Sequence, residues 1–181
     1  HRACTGQNVS LDNSAMVASR TETEFCNGYV FLDCPLQPGE SVLVRVLETE
    51  TTFIGSIAFG LTGADPRRLQ PSQLPDDSEL LGQRPEYWQL SKDVMPDPQP
   101  GDELAFTLGL DGAVTCSINS GPQRTLFHTD ISLPTRPFID LSGVAQKLQL
   151  LGERMLVFGA PERIGDTAKR FLLDARAAAV P

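Results

Sequence analysis

Residues 56–66 read Ser56-Ile57-Ala58-Phe59-Gly60-Leu61-Thr62-Gly63-Ala64-Asp65-Pro66. Large side chains at Ile57, Phe59 and Leu61 alternate with small ones at Ser56, Ala58 and Gly60. That is the period-two pattern of a strand with one face in a core and the other open to close approach by a neighbour. Asp65-Pro66 stops it, because proline lacks the N–H that would continue a ladder and restricts the residue before it. Read backwards, the alternation extends the strand over 53–62, with Phe53 and Gly55 on the core side. Read forwards, it enters an irregular stretch with seven prolines between positions 63 and 100. That stretch also holds the aromatic block Arg84-Pro85-Glu86-Tyr87-Trp88.

The flanking sequence repeats the theme. Positions 41–48 alternate, with Val42, Val44 and Val46 on one side and Leu43, Arg45 and Leu47 on the other. Positions 103–118 read as a hairpin. Leu104, Phe106, Leu108 and Leu110 point inward, Asp111-Gly112 forms a type I′ turn, and Val114, Cys116 and Ile118 return on the same face. Shorter strands are expected at 8–11, 16–19, 25–32 (broken by Asn27-Gly28), 88–90, 124–128, 137–140 and 147–151. With no helix before residue 160, this is an all-β chain, an antiparallel β-sandwich. Leu69, Leu74, Leu80, Leu81 and Trp88 give the long connection apolar anchors that lay it over the sandwich. After Leu151 the pattern changes. Ile164, Ala168, Phe171, Leu172, Ala175 and Ala179 recur at helical spacing, so an amphipathic helix is expected over 166–178 with Asp166 as its N-cap. The expected organisation is a sandwich over 1–152 and an extension over 153–181.

The chain has 181 residues and a formal net charge of −8. The first 152 residues carry 10 basic and 19 acidic side chains, against five and four in the rest. Such a body repels phosphate backbones and anionic lipid, so nucleic acid is not an expected partner and membranes are reached only through partners. The cysteines Cys4, Cys26, Cys34 and Cys116 include no Cys-x-x-Cys pair, which points to free thiols in a reducing compartment and to no structural metal. Cys116 reads as a core thiol. No nucleophile elbow, Walker loop or His-Glu-x-x-His is present. His128 is read as a structural histidine at a strand end, and Asp76-Asp77-Ser78-Glu79 as a solvated acidic loop. No cofactor and no catalytic residue are expected.

Several blocks, in order, resemble one family. They are His1 with Gly6-Gln7-Asn8-Val9, then Phe25-Cys26-Asn27-Gly28-Tyr29-Val30-Phe31, then Pro35-Leu36 with Gly39-Glu40. Phe59-Gly60-Leu61-Thr62, Asp65-Pro66, Leu74-Pro75 and Arg84-Pro85 with Tyr87-Trp88 are the most specific. Phe138-Ile139-Asp140-Leu141-Ser142-Gly143 and Leu148 with Leu150-Leu151-Gly152 close the series. Residues 1–152 thereby resemble the Neuralized homology repeat, most closely the second repeat of Neuralized-type ubiquitin ligases. The chain departs from the family pattern at Phe53-Ile54, Arg136 and Ser142, where aromatics are usual.

The resemblance implies a jelly-roll, SPRY-like sandwich that recognises proteins, with ubiquitin transfer located in a RING domain. Four cysteines cannot supply a RING's two zinc sites, so this chain is read as the recognition part. The implied partners are Notch-ligand cytoplasmic tails or Bearded-type inhibitors. The implied location is the cytoplasm, at the periphery of the plasma membrane or endosomes. A sandwich holds its loops at two rigid ends, and an extended peptide could be gripped there. Candidate contacts lie on 20–24, 50–53, 87–88 and 135–137, namely Arg20, Glu24, Phe53, Tyr87, Trp88 and Arg136. Trp88 is also suited to anchoring a core, and Arg136 to a solvated loop. Two other readings stay open: a carbohydrate-binding or hydrolytic sandwich, and a self-associating structural module.

Overall fold

The longest alternating run becomes the centre of the larger sheet. β4 (Glu40–Thr49) buries Val42, Val44 and Val46 on one face. β7 (Glu103–Leu108) pairs with it on one side and β11 (Ala145–Met155) on the other. Beyond β7 lie β8 (Ala113–Ile118) and β9 (Arg124–His128). Beyond β11 lie β2 (Val17–Arg20) and β1 (Val9–Leu11). A four-stranded sheet covers this one, in the order β3 (Tyr29–Phe31), β10 (Arg136–Asp140), β5 (Ala58–Thr62) and β6 (Trp88–Ser91). The computed structural model describes residues 5–155. His1, Cys4 and the helix expected over 166–178 lie outside them.

The inter-sheet core follows from the alternation. Ile57, Phe59 and Leu61 pack against Val42, Val44, Leu104 and Phe106. The Phe59 and Phe106 rings stack across the gap, with centroids 4.0 Å apart and planes 3° from parallel. The outer face of the small sheet carries a second apolar cluster, in which Tyr29, Phe31, Trp88 and Phe138 are covered by Ala64, Leu74 and Leu81. These last three come from the 63–87 connection, which is folded into three 3-10 turns, Pro66–Arg68, Pro71–Gln73 and Ser78–Gln83. Asp65 and Asp77 cap two of them by accepting from the Arg67 and Glu79 amides. The connection is therefore a third layer, as its leucines imply, although Leu80 faces solvent. Gly60 has a packing reason: it sits opposite Phe138, and a Cβ there would lie 2.4 Å from that ring.

Four local expectations are corrected. The strand expected over 53–62 starts at Ala58, because Gly55 takes φ 93° and breaks the extension, leaving Ile54 97% exposed. The hairpin turn is not type I′. Of Asp111 and Gly112 only Gly112 has positive φ, 83°. The Gly112 N–H bonds the Gly109 carbonyl at 3.1 Å, and the Gly109 N–H bonds the Ala113 carbonyl at 2.8 Å. This is a three-residue loop ending in a left-handed glycine, and it turns Leu110 outward instead of into the core. His128 is exposed on β9 rather than packed. Cys116 is buried, and burial lifts its thiol to about 11. β11 runs on through Met155, past the boundary expected at Gly152.

Candidate functional site

The strand directions collect the segments 21–28, 50–57 and 141–144 at one end of the sandwich and 32–39, 63–87, 109–112 and 129–135 at the other. The six candidate residues divide between these ends. Arg20, Glu24 and Phe53 fall at the first, and Tyr87, Trp88 and Arg136 at the second. A single peptide grip cannot use all six.

At the first end, Arg20 is corrected from a contact residue to an internal clamp. It is 2% exposed. Its guanidinium donates to the carbonyls of Phe25 (3.2 Å), Leu141 (3.1 Å) and Gly143 (2.5 Å) and to Gln146 Oε1 (3.2 Å). Gln146 Nε2 donates in turn to the Arg20 carbonyl. Burial lowers the guanidinium's pKa, and the charge of Asp140 opposes that. The clamp fixes the backbones of two loops, 21–28 and 141–144, and Gly143 brings the third, 50–57, against them. Its φ is 57°, and a Cβ there would lie 2.3 Å from the Gly55 carbonyl oxygen.

The fixed loops display apolar side chains. Phe53 lies half-buried with Arg20 beneath its ring, 5.4 Å from the centroid. Phe25 packs 6.2 Å from Phe53 and is 59% exposed. Ile54 projects beside them almost wholly in solvent. Glu22, Glu24 and Glu50 belong to the same loops, so an apolar knob sits in an acidic rim. The Thr52 hydroxyl and amide bond Glu50 and hold its carboxyl below the usual range. Sequence reading missed Phe25 and Ile54, because both sit in apolar runs that look like strand. The available signal was the glycine next to each run, Gly28 after Asn27 and Gly55 after Ile54.

At the second end, Trp88 is also corrected. It is a core anchor, edge-on to Phe31 and Phe138 at 6.1 and 5.4 Å. Its indole N–H donates to Glu86 Oε2 at 3.3 Å. Tyr87 is half-buried, and its hydroxyl bonds Thr129 Oγ1 at 3.0 Å. Arg136 is half-buried and donates through Nε to the Asp33 carbonyl. Asp77 and Lys92 form an ion pair at 2.9 Å, so the acidic loop at 76–79 is tied down at that point.

Beneath the first end lies Asp140, 2% exposed, whose Oδ1 has no hydrogen-bond partner. Burial raises its carboxyl to about 6, opposed first by the Ser78 hydroxyl, then by the Gly28 amide and the charge of Arg20. Asn27 Oδ1 is also buried without a partner. No group of three or more His, Cys, Asp and Glu side chains among the described residues could hold a metal.

A two-sheet antiparallel sandwich of this order is a SPRY-like fold. The SPRY domain of human HERC1 shares the fold at TM-score 0.52 and 11% identity over 80% of this chain and 92% of that one. The crystal structure of the Drosophila melanogaster Neuralized NHR1 domain superposes at TM-score 0.72 and 23% identity, covering 82% of this chain and 94% of that one. The Neuralized family model matches residues 1–152, and the chain belongs to the Neuralized family. It is 45% identical over 150 residues to Protein neuralized of Drosophila melanogaster, covering 83% of this chain and 20% of that protein. It is 38% identical over 151 residues to the human E3 ubiquitin-protein ligase NEURL1B, covering 83% of this chain and 27% of that protein. The chain thus spans about a fifth of the length of the Drosophila relatives it matches.

Proposed function

We propose that this chain is the substrate- and adaptor-recognition module of a Neuralized-type E3 ubiquitin ligase and that ubiquitin transfer takes place outside it. Its partners are Notch-ligand cytoplasmic tails or Bearded-type regulators, met in the cytoplasm at the plasma membrane or endosomes. The chain corresponds to a second repeat. Identity is 45% to a 150-residue stretch of Drosophila melanogaster Neuralized but 23% to its NHR1 domain, which supports a match to a different repeat.

The observation that carries this reading is the Phe25–Phe53–Ile54 knob, exposed on loops that Arg20 and Gly143 hold rigid. An exposed aromatic and aliphatic cluster on a fixed backbone binds at small entropic cost. The test is fluorescence anisotropy with labelled Notch-ligand tail and Bearded-type peptides. Ile54→Asp and Phe25→Asp should each weaken binding at least about tenfold with the melting temperature unchanged. Wild-type affinity in both variants would remove this surface. Capture of glycans and no peptide would remove the class, and a concentration-dependent dimer blocked by Ile54→Asp would point to self-association.

A further inference from the structure

We propose that Asp93 is the positioning residue for the Phe25–Phe53–Ile54 knob: its carboxylate stands in for a main-chain partner and so fixes the direction in which Ile54 projects. This inference rests on the recognition reading and deepens it, because it concerns how the same surface is set. Pairing of β5 with β6 ends at Phe59 opposite Ser91. Two residues further on, regular register would set Ile57 opposite Asp93. Asp93 instead turns left-handed, at φ 50°. The next amide, the Val94 N–H, takes the Ile57 carbonyl at 3.0 Å. Two residues, Asp93 and Val94, thus oppose one. This is a bulge with a left-handed first position, a place that usually demands glycine. Aspartate is among the few other residues that tolerate it.

The bulge turns the Asp93 side chain toward the residue before Ile57. Asp93 Oδ1 accepts the Ser56 N–H at 2.8 Å. On the other side of the same residue, the Ser142 hydroxyl donates to the Ser56 carbonyl. The Val144 N–H donates to the Gly55 carbonyl at 3.0 Å. Ser56 is buried, so water is a poor substitute for the carboxylate as acceptor of its amide. Ile54 lies two residues away and is almost wholly exposed, with next to no packing of its own. Its direction comes from the main chain behind it, where Gly55 takes positive φ and Ser56 is gripped through both its N–H and its carbonyl.

The support beneath Asp93 is itself held on both sides. Val94 is wholly buried in the inter-sheet core, and its carbonyl accepts from Arg124 at 2.8 Å. Lys92 sends its ammonium to Asp77 at 2.9 Å. A side chain pinned in this way carries the rigidity of the sandwich to a loop that has no ladder of its own. Asp93 is exposed, but it acts through Ile54 and not as a contact with the partner.

The test combines amide hydrogen exchange on the free whole chain with anisotropy on the labelled Notch-ligand and Bearded-type peptides. Asp93→Gly keeps the left-handed backbone and removes the acceptor, whereas Asp93→Asn keeps both. Asp93→Gly should speed exchange at Ser56 at least about tenfold and leave the Phe59 and Leu61 amides unchanged. It should weaken peptide binding at least about threefold, the cost of ordering a loosened loop. Added to Ile54→Asp it should cost no further affinity, because it acts through that side chain. Asp93→Asn should stay close to wild type in both measurements. Unchanged Ser56 exchange in Asp93→Gly, or equal speeding at Phe59 and Leu61, would overturn the positioning role. A loss of binding in Asp93→Asn equal to that in Asp93→Gly would mark a charge contact and overturn it too. Wild-type affinity in Asp93→Gly where Ile54→Asp has lost binding would overturn it while leaving the proposed function standing. A chain that ignores every peptide, yet shows the Ser56 effect in Asp93→Gly and its recovery in Asp93→Asn, would support the positioning and count against that function.

Discussion

Arg20 joins carbonyls 121 and 123 positions away in the chain. It meets them with one planar fork, which no other side chain matches. Arg20→Ala would strand three carbonyls, two of them in bonds wholly buried, and should cost at least about 3 kcal/mol in urea denaturation. It should also weaken partner binding, although Arg20 is itself buried. Arg20→Lys should recover only part of either loss. Asp140 makes a second prediction at this scale. Its carboxyl is raised to about 6 by burial, above the roughly 3.9 of an unfolded chain. Between those values the native state holds a proton that the unfolded state lacks, so stability falls as pH rises through about 6. The melting temperature should be higher at pH 5 than at pH 7.5. Asp140→Asn should flatten this part of the profile, and an unchanged slope would show that other groups set it.

The 63–87 connection behaves as a structural element despite having no strand or long helix. Removing either of its core contacts, by Leu81→Ala or Trp88→Ala, should cost about 2–5 kcal/mol. Protease cutting within 63–87 should speed up before the sheets unfold, which limited proteolysis can follow. Gly28→Ala would press a Cβ to within 2.0 Å of the Leu141 carbonyl oxygen, so loss of the β3–β10 pairing is expected. At this scale most of the fold was legible. Val42, Val44 and Val46, or Leu104, Phe106 and Leu108, declare a strand because burial on one face imposes alternation. The leucines at 69, 74 and 81 likewise declared a covering layer. What failed was backbone dihedral choice. Gly55 and Gly112 end extended structure through positive φ, and hydrophobicity carries no trace of that. The candidate site was less legible still. Arg20 and Trp88 have side chains typical of contact residues, and only long-range packing decides that both face inward.

At the scale of the molecule, charge and separation matter most. With a net charge of −8, this surface should favour basic partners. Raising ionic strength from about 0.05 to 0.5 M should weaken any such complex, because it shortens the screening length to a few ångströms. Affinity that holds or rises with salt would mean that the acidic rims play no part. The Ile54 end and the Tyr87–Arg136 end share no residue, so substitutions at one should add to those at the other with no coupling in a double-mutant cycle. The clamp at Arg20 grips main-chain oxygens and asks nothing of the side chains it holds in place. Positions 25, 53 and 54 are in that sense interchangeable bits in a fixed chuck. Randomising them while Arg20, Gly143 and Gln146 are kept should yield stably folded variants with new selectivities, much as antibody frameworks tolerate new hypervariable loops.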